Sequence, residues 1–74
     1  MADIYDDVRR DVERTLARWG EKRSESERNG TAYESRMFYD WLVGAQFVLD
    51  LLGLYDLGQA AHDARTNAEK ETAE

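Results

Sequence analysis

The chain contains no cysteine, so neither a disulfide framework nor a thiolate metal site is open to it. That suits a reducing compartment, and a cytoplasmic protein is expected. Proline is also absent, so no ring interrupts a helix at any position. No long apolar run exists either: the longest uncharged stretch, Trp41 to Leu49, falls far short of the roughly 20 residues that cross a bilayer. The opening residues, MADIYDDVRR, carry acids where a secretory signal has basic residues and then an apolar run. No membrane partner is expected. Phosphate loops, nucleophile elbows and EF-hand loops are missing as well.

What is present is a short acidic chain. Its 74 residues make room for one domain with a small core, which argues against a self-sufficient enzyme cleft. The net charge of −6 is unevenly placed: residues 1–30 carry seven Arg or Lys against eight Asp or Glu, and residues 31–74 carry three against eight. The negative field therefore belongs to the C-terminal part. It disfavours nonspecific binding to nucleic acid or anionic lipid and favours a protein partner with a basic surface, though a charged surface also serves plain solubility.

Three helical segments follow from apolar spacing. Ile4, Val8, Val12, Leu16 and Trp19 share one face of a first helix expected from Ile4 to Trp19, with Gly20 as a candidate stop. The polar run GEKRSESERNG is either an exposed helical extension to an Asn29-Gly30 stop or a loop, and a break is expected somewhere in 20–30. Thr31 with Glu34 fits a capping box that opens a second helix, Ala32 to Leu52; Ser24 with Glu27 is a rival box that would start it earlier. Gly53 or Gly58 could end that helix. Asp56 with Gln59 resembles a further cap, opening a short Ala-rich helix between Leu57 and Arg65. The expected fold is all-α: a small bundle of two main helices plus a short third, one domain over 1–66, with a flexible acidic tail over 67–74.

The second helix is apolar nearly all round, and such a helix is normally buried nearly all round. One amphipathic helix and one short Ala-rich helix leave Phe38, Val43, Phe47 and Leu51 wanting cover. A second copy of the chain is the simplest cover, so a homodimer completing the bundle through these residues is expected.

Candidate chemistry is thin. His62 is the only histidine, without a visible partner for acid–base work or the several ligands a metal needs. Asp40 and Asp50 could share one helical side but have no sugar groove between them. No catalytic, cofactor-binding or metal-binding residue is assigned. Arg10, Arg14, Arg18 and Lys22 form a basic stripe, yet Asp6, Asp7, Asp11 and Glu21 lie within pairing reach, and no DNA- or RNA-binding motif accompanies it. Direct nucleic-acid binding is therefore the lesser reading. Tyr39 and Tyr55, beside Asp40 and Asp56, are amphipathic anchors of the kind enriched in binding surfaces.

These observations describe a nonenzymatic binding protein. In size, acidity and helical character the whole chain resembles the small acidic proteins with which phages and mobile elements block host defence machinery. The resemblance implies an inhibitor that covers a site meant for nucleic acid, with Tyr39, Asp40, Asp50, Tyr55, Asp56 and Asp63 as the partner-binding residues. A helical homodimerisation or assembly module is the alternative, followed by a DNA-binding accessory protein using the Arg10, Arg14, Arg18 stripe.

Overall fold

The computed structural model describes residues 4–73, and side chains as far as Asn67. The chain forms three helices, α1 (Ile4–Asn29), α2 (Ala32–Leu51) and α3 (Tyr55–Ala73), each packed against both others. Among the described residues there is no strand.

Both reversals are made by glycine. Gly30 and Gly53 have φ values of +74° and +77°, a left-handed conformation that only glycine adopts without steric cost. At each, the helix end closes with the paired bonds of a Schellman motif. Thr31 N–H donates to the Ser26 carbonyl at 2.9 Å and Gly30 N–H to Glu27 at 3.4 Å. Leu54 N–H donates to Leu49 at 2.9 Å and Gly53 N–H to Asp50 at 3.0 Å. Two such sharp turns make the chain run up, down and up, so α1 and α3 point the same way.

Several sequence expectations are corrected. No break occurs between 20 and 29: α1 runs through the polar segment and stops only at Gly30. Gly20 is not a stop but a contact, because a Cβ built on it would lie 3.0 Å from both the Cβ and the carbonyl oxygen of Ala64 on α3. The expected short third helix is 19 residues long and continues through Ala73, into the segment expected as a flexible tail; Glu74 lies outside the described residues. Length explains this, since helix formers between Ala64 and Ala73 extend a helix already nucleated by packing.

The capping boxes are corrected too. Thr31 makes no side-chain cap on α2; its hydroxyl donates to the Ser26 carbonyl at 3.1 Å, closing α1 instead. Glu27 and Glu34 reach across the hairpin, where Glu27 accepts from the Ser35 hydroxyl and Glu34 from the Ser26 hydroxyl at 3.5 Å. Asp56 pairs with Arg9 of α1, and Gln59 donates to Asp63 at 3.0 Å. For Thr31, Glu27, Glu34 and Asp56 a partner on another helix or across the turn outcompetes the local cap, while Gln59 bonds one turn onward within α3.

Leu16, Leu42, Leu49, Leu57 and Ala61 are the buried core, one or two from each helix, with Val12, Trp19, Ala45, Leu54, Ala60 and Ala64 packed around them. The apolar stripe of α1 is used only in part. Arg9 meets Asp56 in the first turn of α3, so residues 4–8 project past the start of that helix and Ile4 and Val8 stay exposed. Two substitutions should separate the roles of the glycines. Gly53→Ala places a side chain at positive φ and should cost about 1–2 kcal/mol. Gly20→Val pushes α1 off α3 and should cost about 1–3 kcal/mol as overpacking. Urea unfolding followed by circular dichroism measures both; a neutral Gly20→Val would mean that the two helices do not meet there.

Candidate functional site

Two surfaces stand out, and they belong to different sides of the bundle. The first is a groove of about 450 Å³ lined by α1 and α3 alone. Its floor is small and apolar, formed by Leu16, Ala17, Gly20, Ala60 and Ala64, because the Gly20–Ala64 contact draws the helices together at that level. Glu13 and Glu21 stand on the α1 rim and Asp63 on the α3 rim, with Arg28 and Asn67 toward the end of the groove. An apolar floor under three carboxylates can take a segment that combines small apolar side chains with Lys or Arg. Charge attracts across the rim, while the floor supplies contact area.

The second surface is the outer face of α2. Val43, Phe47, Val48, Leu51 and Leu52 are all exposed there, Phe47 at 65%, Leu51 at 71% and Leu52 at 67%. The period of the helix explains the pattern, since seven residues are about two turns. Ser35, Leu42 and Leu49 recur every seven residues and turn inward, so the residues opposite them turn to solvent. A shallow depression of about 530 Å³ opens beside this face, bounded by Trp19, Trp41, Gly44, Ala45 and Val48. Three of the four residues expected to want cover, Val43, Phe47 and Leu51, lie on this face. The fourth, Phe38, is half-buried and stacks edge-on against Trp41 at 5.2 Å, while Trp41 does the same to Trp19 of α1 at 5.3 Å.

The six residues expected to bind a partner are spread over the molecule. Asp63 lies on the groove rim. Asp40 is bonded to Arg36 at 3.3 Å, and Asp56 is paired with Arg9. Asp50 is half-buried, its carboxylate filling the space where a side chain on Gly58 would stand. Tyr55 is 70% exposed at the start of α3. Tyr39 is half-buried, and its ring meets guanidinium groups from all three helices: Arg23 at 4.9 Å, Arg65 at 5.4 Å and Arg36 at 5.8 Å.

That collar was not foreseeable from spacing. Arg23 is buried, and it donates to the Arg65 carbonyl at 2.7 Å, which ties α1 to α3. Arg65 donates to the Tyr39 hydroxyl at 3.4 Å and lies 2.9 Å from His62 Nδ1. A guanidinium only donates, so Nδ1 accepts and the imidazole proton sits on Nε2. His62 is thereby a neighbour of the collar, and among the described residues no group of three His, Asp or Glu is arranged to hold a metal ion. Along the basic stripe, Arg10 pairs with Asp7 at 3.6 Å and Lys22 with Glu25 at 3.9 Å, exposed contacts of little energetic weight.

Sequence reasoning missed Glu13, Glu21, Ala60 and Ala64 as parts of one groove, since only the α1–α3 crossing unites them. Among the described residues no helix is long and apolar enough to cross a membrane. No protein-family model, curated protein or solved structure matches this chain.

The collar has a measurable weight. Tyr39→Leu removes a ring that meets three cations, and the loss should be about 1–3 kcal/mol, whereas Tyr39→Phe keeps the ring and should lose less than about 1 kcal/mol. Thermal unfolding of the two variants reads the difference; equal losses would assign the contribution to the hydroxyl.

Proposed function

We propose that this protein is a nonenzymatic binding protein that occupies a basic surface of a partner protein, using the groove between α1 and α3. The single observation that supports this is the combination of a small-residue floor with Glu13, Glu21 and Asp63 on its rims. Three carboxylates in a chain of net charge −6 attract a Lys- or Arg-rich segment, and that attraction raises the rate of encounter more than it lengthens the complex's life. Surfaces rich in Lys and Arg commonly serve to hold phosphates. The protein therefore acts as an inhibitor that competes with nucleic acid for its partner, as its likeness to small acidic anti-defence proteins suggests.

Affinity capture from the source cell, followed by mass spectrometry, identifies the partner. The variant Glu13→Gln/Glu21→Gln/Asp63→Asn should fold, since these side chains are exposed, yet its association rate should fall by at least tenfold at low salt. Asp40→Asn serves as the control and should bind normally, because Asp40 is already committed to Arg36. Equal capture by the triple variant would exclude the groove. Tight binding of the unmodified protein to duplex DNA in a low-salt gel shift would instead support the Arg10, Arg14, Arg18 stripe.

A further inference from the structure

The outer face of α2 is not accounted for by a partner drawn to acidic residues. Between Trp41 and Leu52 the only ionisable side chain is Asp50, and it is half-buried beside Gly58. A basic surface finds nothing there to pair with. Two copies of an acidic chain, by contrast, meet with least repulsion where neither presents charge. The area is also of the right size. Scaled by exposed fraction, the side chains of this face together with Trp41 and Tyr55 present roughly 700 Å² of apolar surface, against about 800 Å² per partner in a stable complex.

Gly44 specifies the contact further. It sits in the middle of α2 without the positive φ of Gly30 and Gly53, and apart from its chain neighbours and the surrounding helix backbone nothing lies within 4 Å of where its Cβ would stand. Nothing inside the protomer requires a glycine, although glycine in a helix interior costs about 0.5–1 kcal/mol relative to alanine. What a bare backbone does allow is close approach from outside, and Gly44 borders the shallow depression next to Trp41 and Val48.

We infer that α2 packs antiparallel on α2 of a second copy about a two-fold axis between residues 45 and 46, with Phe47 of each copy seated over Gly44 of the other. The same axis sets Leu51 of each copy level with Asp40 of the other. Asp40, bonded to Arg36, thus lies at each end of the contact, and the α1–α3 groove of each copy, on the far side from α2, remains open.

Sedimentation equilibrium of the purified protein, with no partner present, tests this. The expected mass is twice 8.6 kDa at tens of micromolar. Gly44→Leu should strengthen the protomer against urea and yet raise the dimer dissociation constant at least a hundredfold, a divergence that a purely structural role for Gly44 would not produce. Phe47→Asp should weaken the dimer by a similar factor while leaving the helical circular dichroism intact. Because the chain lacks cysteine, Asp40→Cys and Leu51→Cys copies can be mixed and oxidised. These two positions are level across the axis and lie only about 20° apart around the helix, so the inferred register yields the disulfide between unlike copies. A monomer at several hundred micromolar would overturn the proposal, as would a dimer unaffected by both Gly44→Leu and Phe47→Asp, or disulfides only between like copies. The groove variants of the preceding section should leave the dimer unchanged, so the two proposals fail independently.

Discussion

The close contact between Gly20 and Ala64 is the constraint on which the remaining structure depends. With no side chain on one helix and a methyl on the other, α1 and α3 approach until Cβ-sized space is gone, and Leu16, Leu57 and Ala61 are sealed on one side by that approach. There is then room for little more than one layer of leucines. Helix α2 closes it with Leu42 and Leu49, using an inward arc that Ser35 extends toward the hairpin. Val43, Phe47, Val48, Leu51 and Leu52 are left outside.

Two unlike surfaces follow from that single geometry. Where α1 and α3 touch, their backbones form a shallow groove floored by small residues, and the polar positions flanking the contact become its acidic rims. On the opposite side, α2 shows solvent a face that is as apolar as the one it buries. Charge and apolar area are thus segregated across the bundle.

The collar around Tyr39 compensates for the thin core. Arg23 of α1, Arg36 of α2 and Arg65 of α3 converge on one ring, and the Arg23–Arg65 carbonyl bond joins the two helices that run in the same direction. Long side chains here cover apolar surface with their stems while their charged ends lie on an aromatic face. Near the hairpin, where the leucine layer has ended, this polar packing carries the three helices onward.

Helical class, the positions of α1's start and α2's start, and the surplus of apolar residues on α2 were all legible in the sequence, because each depends on spacing and propensity within one segment. Gly30 and Gly53 were legible as candidate stops, but so were Gly20 and Gly58, and spacing did not choose between them. The roles of Gly20, Thr31 and Asp56 were not legible: a glycine ends a helix or admits a neighbour, and a hydroxyl or carboxylate caps its own helix or bonds another, according to what lies across from it. Nor could spacing reveal that Glu13, Glu21 and Asp63 border one groove or that three arginines share Tyr39. Local periodicity determined the elements of this protein. The tertiary structure decided their contacts, since the energies separating a local from a long-range partner are small beside the burial that brings the helices together.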